Sequence, residues 1–265
     1  MSSIKIVKRP SEERGHADHG WLKTFHTFSF AMYQDFSHSQ HGPLRVINED
    51  RVSSHTGFGT HSHREFEIFS YVVSGQLEHQ DSMGNTEVLS RGALQMTSAG
   101  TGISHSEKAY GSKGVHFLQI WSLPDQSNLT PTYYTRKFTD AEKTDRWMRV
   151  VAPVGSKGVS SEREADGPAP VHTQLTLYAT LLSPGRALPQ EMHGQKGYIH
   201  IVQTSGYHVG PAEGASVRVG QKAETVDLRE GDGAYIWFPK NDGKITLDIE
   251  NVGGSTAEVV LFDLE

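Results

Sequence analysis

Short apolar blocks set the pattern of this chain. Phe66 to Val73, Val115 to Trp121, Leu175 to Leu182 and Tyr198 to Gln203 run six to eight residues each, rich in β-branched and aromatic side chains. Gly, Pro, Asn and Asp gather between such blocks, as at Ser82 to Asn85 and Asn241 to Gly243. Blocks of that length bounded by turn formers predict strands, because branched and aromatic side chains fit a pleated surface. Helical spacing is poor nearly everywhere. Short helices are predicted only at Asp140 to Asp145 and around the Pro153 to Pro170 connector. Many short strands with regular turns predict an all-β chain built as a sandwich or barrel.

The pattern occurs twice. With Ser74-Gly75 set against Ser205-Gly206, FEIFSYVVSG aligns with GYIHIVQTSG. Leu89 to Gly92 likewise pairs with Leu228 to Gly231, just before an apolar strand in each half. Between the halves, Gly155 to Pro170 is polar and rich in Gly, Ser and Pro, the composition of a linker or long loop. Two tandem barrels are predicted, residues 1–140 and 141–265; chance likeness between strand-rich segments is the alternative. On these offsets His61 and His63 fall at Met192 and Gly194, and His105 and Glu107 at Lys244 and Thr246. The second barrel is therefore expected to have no metal site.

Composition narrows the chemistry. The 265 residues include no cysteine and fifteen histidines, and the net charge is -6. Disulfides, thiolate metal sites and cysteine nucleophiles are excluded. A metal would be held by imidazole and carboxylate, a donor set that suits iron, copper, nickel, manganese or zinc. The negative charge argues against direct nucleic-acid binding, which needs a basic surface. Met1 to Gly15 has no apolar leader pattern and no run is long enough to span a bilayer, so a soluble cytoplasmic protein is expected, nuclear if eukaryotic. Gly100 to Gly102 lacks phosphate-loop spacing, and no serine stands in a nucleophile elbow.

The candidate chemistry lies between Gly57 and Glu107. Residues two apart on a strand face one side, about 6.6 Å apart along the backbone. His61 and His63 therefore share a face, as do His105 and Glu107, and barrel strands can aim both pairs inward. Two surface histidine pairs on hairpins would have the same spacing.

The pieces GFGTHSH, EHQDSMGN and QMTSAGTGISHSE closely resemble the pirin family of the cupin superfamily. RGHADHGWLKTFHTFSF upstream and LQIWSLP downstream are similar to pirin elements too. The resemblance is strong over residues 1–140 and weaker beyond, where it suggests a second, degenerate cupin. It implies a bicupin of two jelly-roll barrels, with metal ligands at His61, His63, His105 and Glu107. Ser62 departs from the family's usual proline, and the REFEI run after His63 matches bacterial members that resemble quercetinases. Neither change removes a ligand. The general cupin motif makes Glu67 a competing carboxylate, but on a straight strand it lies about 13 Å beyond His63. The resemblance further implies one divalent metal, Fe2+ first, with Cu2+, Ni2+, Mn2+, Co2+ or Zn2+ as alternatives. The implied activity is dioxygenolytic opening of a flavonol such as quercetin, with Glu107 as catalytic base. Substrate would be a small planar aromatic molecule together with dioxygen. Animal pirins suggest a different role, a redox-sensing metal-binding regulator that binds transcription-related protein partners.

Overall fold

The computed structural model describes residues 4–239 and 245–265. Its regular structure is nearly all strand, and two compact units account for the chain. Among the described residues no helix is long and apolar enough to cross a membrane. The predicted turn at Asn241 to Gly243, and Lys244, lie outside the described residues.

The first unit comprises Gly15–Thr139 and Ala152–Thr173. Its larger sheet has seven strands in the order Thr132–Lys137, Ala93–Ser98, Glu67–Ser74, Val115–Ser122, Leu44–Val52, Leu22–His26 and Gly15–Asp18. Its smaller sheet runs Gly57–His63, Ile103–Ala109, Gln76–Asp81 and Thr86–Ser90. Leu22, Val52, Val72, Ala93, Val115 and Phe117 of the larger sheet cluster with Leu77, Leu89 and Ala109 of the smaller one. This apolar plug fills only part of the interior. Stepping two residues along the same face changes Val72 to Ser70, Phe117 to Gln119, Ala93 to Gln95, Leu77 to His79 and Ala109 to Glu107. All five replacements are still buried. Because side chains alternate with period two, these steps keep to one side of each strand. Five strands thus turn from hydrocarbon to polar groups at the same level, and that level carries the site.

The second unit comprises residues 4–14 with Asp140–Val151 and Gln174–Glu265. Its small sheet, Ala187–Met192, Ile245–Asn251, Glu213–Gln221 and Glu224–Glu230, repeats the strand order of the first. In its large sheet Gly233–Trp237, Lys196–Ile201, Ala257–Leu264 and Leu175–Leu182 are neighbours in the same order as their counterparts. The expected duplication is therefore present in the topology. Here the interior stays apolar: Ile245, Leu247 and Ile249 join Met192, Ile199, Ile201 and Leu261 in one core. Thr246, expected opposite Glu107 in the repeat, is exposed. Its inward neighbours are Ile245 and Leu247, so the aligned register is one residue out at this strand, and one residue moves a side chain to the other face.

The boundary at residue 140 marks one chain crossing, since Thr139 closes a segment of the first unit and Asp140 opens one of the second. The units are not contiguous, however. Lys5–Arg9 pairs antiparallel with Gly233–Trp237, which places the N-terminal strand in the C-terminal unit. Residues 152–173 belong to the first unit. They form turns and loop rather than the short helix expected there, with a strand at Ala169–Val171. Arg136 explains the shape: its guanidinium donates to the carbonyls of Ser160, Glu162 and Arg163, which holds the loop in an open path. The helix expected after Asp140 is a single turn, Asp140–Lys143.

Candidate metal centre

His61 and His105 face each other across the antiparallel pair of Gly57–His63 with Ile103–Ala109. The register slips between His105 and Glu107, so Glu107 lies opposite Phe58 on that edge. On its other edge the strand pairs regularly, with His105 opposite Asp81 and Glu107 opposite His79. A bulge of this kind bends the strand and re-aims its side chains.

Three imidazoles converge. His105 Nε2 lies 3.0 Å from His63 Nε2 and 3.1 Å from His61 Nε2. The ring centroids are 4.5 to 4.8 Å apart. His61 Nδ1 is 2.8 Å from the Gly59 carbonyl. A carbonyl can only accept, so Nδ1 carries the proton and Nε2 keeps its lone pair. His63 stands edge-on to Trp121 at 4.9 Å. Burial, reinforced by His105 and His61, lowers the His63 pKa to about 4. Burial also lowers His105 to about 4, against the raising influence of Glu107. Both rings are neutral at physiological pH, the form that ligates a metal.

The trio fits a transition-metal ion. Two nitrogens each about 2.1 Å from a common ion and at right angles to one another are about 3.0 Å apart. The observed separations match that value. Without a cation, three lone pairs at this distance have at most two protons to share.

Glu107 is 1 % exposed. Ser70 Oγ donates to its Oε1 and Gln119 Nε2 to its Oε2, each at 2.8 Å. These two bonds fix the carboxylate plane. The ligand atoms of His61, His63 and His105 all lie within 4.8 Å of one another, whereas Glu107 meets that limit together with His79 and His105. The structure thus gathers the three expected histidines at the rim and seats Glu107 one step further in.

The competitor Glu67 is engaged elsewhere. It is fully buried and accepts from the His172 backbone N–H at 2.9 Å and from His172 Nδ1 at 2.8 Å. His172 reaches it from the returning loop. Other histidines have structural partners: His26 meets Asn48 at 2.8 Å, His116 meets Glu49 at 3.0 Å, and His16 packs on Phe25. Met96 and Phe117 are fully buried, while Phe66 packs on Trp121 and Phe58 on Trp21. Phe30 meets the same Trp121 edge-on at 5.4 Å, so an aromatic wall runs from Phe30 through Trp121 to His63.

His79 is the residue that the sequence alone did not single out. It is fully buried, directly opposite Glu107. Its signal was available: Leu77, His79 and Asp81 alternate on one strand face, the same spacing that exposed the other two pairs.

The pirin family model matches residues 7–122. Quercetin 2,3-dioxygenase of Escherichia coli K12 is 37% identical over 261 residues, 98% of each chain. A pirin-like protein of Caulobacter vibrioides is 30% identical over 218 residues, 80% of this chain and 90% of that one. Among solved structures, the bacterial pirin YhhW of Escherichia coli in complex with nickel(II) superposes with a TM-score of 0.80 at 34% identity, covering 98% of this chain and 99% of that one.

Proposed function

This chain belongs to the pirin family, and we propose that it is a metal-dependent dioxygenase that opens flavonols such as quercetin. His61, His63, His105 and Glu107 hold one divalent transition metal, Fe2+ or the Ni2+ that the Escherichia coli relative binds. The approach of His105 Nε2 to within 3.1 Å of both His61 Nε2 and His63 Nε2 carries the reading. When bound, the ion supplies Lewis acidity toward the flavonol 3-hydroxyl and a template for substrate.

The chain's own residues account for the rest. His61 is partly exposed, so the cluster opens at the rim. Trp121, packed between Phe30, Phe66 and His63, offers a flat apolar wall to a planar ring system. Glu107 accepts the proton of the 3-hydroxyl, with Ser70 and Gln119 keeping its oxygens in place. A base acts only within hydrogen-bond reach of the proton, so these two anchors set the geometry of the transfer. The apolar plug below excludes bulk water from the closed end.

Anaerobic reconstitution with several divalent metals, followed by aerobic assay on quercetin, tests the reading. The expected result is loss of flavonol absorbance with release of carbon monoxide in the wild type, abolished by His61→Ala and cut at least a hundredfold by Glu107→Gln. Failure of every metal to support turnover would remove the proposal.

A further inference from the structure

Behind the three imidazoles the polar interior continues, with donors that the outer cluster does not use. His79, His105 and Glu107 are 0, 1 and 1 % exposed, and their ligand atoms lie within 4.8 Å of one another. The His79 ring is stacked on Tyr133 at 5.0 Å and stands edge-on to His105 at 5.2 Å, so its orientation is fixed by packing. The Nδ1 atoms of both His79 and His105 are buried without a hydrogen-bond partner. The other nitrogen of His79 has only a long 3.4 Å contact to Asp81. Protein interiors leave few ring nitrogens unpaired, and those that remain call for a water, an ion or a ligand. Two imidazoles and a carboxylate are the donor set of a borderline divalent metal rather than of Mg2+ or Ca2+.

We infer that the first barrel has two overlapping cation positions, the outer one proposed above at His61, His63, His105 and Glu107, and an inner one at His79, His105 and Glu107. His105 and Glu107 belong to both, so the two positions draw on the same donors. The inference shares His105 and Glu107 with the proposed catalytic site, while His79 belongs to the inner position alone. An ion moved inward leaves His61 and His63 free at the rim.

Nickel(II) chloride titrated into the metal-free full-length protein, followed by calorimetry, separates the two positions. Three chains are compared: wild type, His61→Ala/His63→Ala, and the same pair combined with His79→Ala. The double variant is expected to bind one equivalent at least tenfold more weakly than wild type. Adding His79→Ala is expected to weaken it at least tenfold again, and nickel-edge X-ray absorption of the double variant should show imidazole nitrogen in the shell. A double variant that is folded by circular dichroism yet binds no nickel overturns the inner position. So does a triple variant that binds as well as the double. If the double variant instead matches wild type, the outer site fails and the inner one stands. Should His79→Ala prevent folding, His79→Gln on the same background carries the comparison.

Discussion

At the residue scale the site depends on neutral rings and on what holds each of them. His105 sits between the other two Nε2 atoms, so His105→Ala removes the shared donor; elemental analysis of purified protein should show metal content near zero, with the fold retained. The pair Glu67–His172 makes a separate claim about pH. Burial raises the Glu67 pKa against the pull of His172, and the hydrogen bond to Glu67 raises that of His172 against its own burial. Both shifts mean that the folded state holds more protons than the unfolded one, and stability falls as pH rises wherever that is so. For His172 the contribution is complete below its unfolded pKa, about 6.5, and is lost as pH rises through the higher folded value. His63 and His105, lowered to about 4 in the fold, act with the opposite sign until their unfolded forms lose their protons above about 6.5, so the His172 contribution is read as a difference between variant and wild type. The stability that His172→Asn removes from the metal-free protein, read from urea unfolding against wild type, should therefore shrink as pH rises from 6.5 to 8.5. A difference that stays constant over that range would detach the effect from this pair. The sequence made three of these side chains legible because strand alternation reports which residues share a face. It was silent on His172, which reaches Glu67 from 105 positions away with no local pattern to announce it.

At the element scale the site rests on how closely Gly57–His63 approaches Ile103–Ala109. A Cβ on Gly57 would lie 2.2 Å from the Glu107 carbonyl oxygen and 2.4 Å from Lys108 Cα. Both are backbone atoms of the strand that carries His105 and Glu107, so Gly57→Ala forces the two strands apart. Overpacking of this kind costs about 1–3 kcal/mol. It should lower the thermal midpoint and weaken metal binding together. Gly59 has nothing within 4 Å of its added Cβ, so Gly59→Ala on the same strand is the control and should leave both nearly unchanged. Equal effects from the two would show that the close approach at Gly57 is not what sets the register. The neighbouring strands Glu67–Ser74 and Val115–Ser122 were plain in the apolar blocks, since length and branching suffice to mark them. The slip between His105 and Glu107 was not, because a bulge is a property of the pair and neither strand encodes it alone. The same limit explains the loop at residues 152–173, whose path follows the carbonyls that Arg136 collects rather than its own helical tendency.

At the scale of the whole molecule the duplication was legible, since each barrel repeats its own hydrophobic spacing, but the exchange of segments was not. Lys5–Arg9 is too short to announce a destination, and pairing chosen across more than 220 positions leaves no periodic trace. Its role in the second unit is nonetheless specific. Lys8 Nζ lies 2.7 Å from Asp232 Oδ2, and the Ser11 N–H donates to Asp232 Oδ1 at 2.9 Å, while the Asp232 side chain is fully buried. Removing residues 1–13 would take away the Lys8 and Ser11 contacts, leaving that carboxylate the Arg229 N–H at 2.9 Å, and would bare the edge of Gly233–Trp237. A buried carboxylate that loses its cation is strongly destabilising, and an unpaired strand edge invites association between chains. Hydrogen exchange on the truncated protein should therefore show lost protection at Gly233–Trp237 and at its neighbour Lys196–Ile201. Protection at Ile103–Ala109 and nickel(II) affinity should be unaltered, because residues 4–14 belong to the other unit. Loss of nickel affinity on truncation would mean that the N-terminal strand serves the metal centre as well as the barrel it completes.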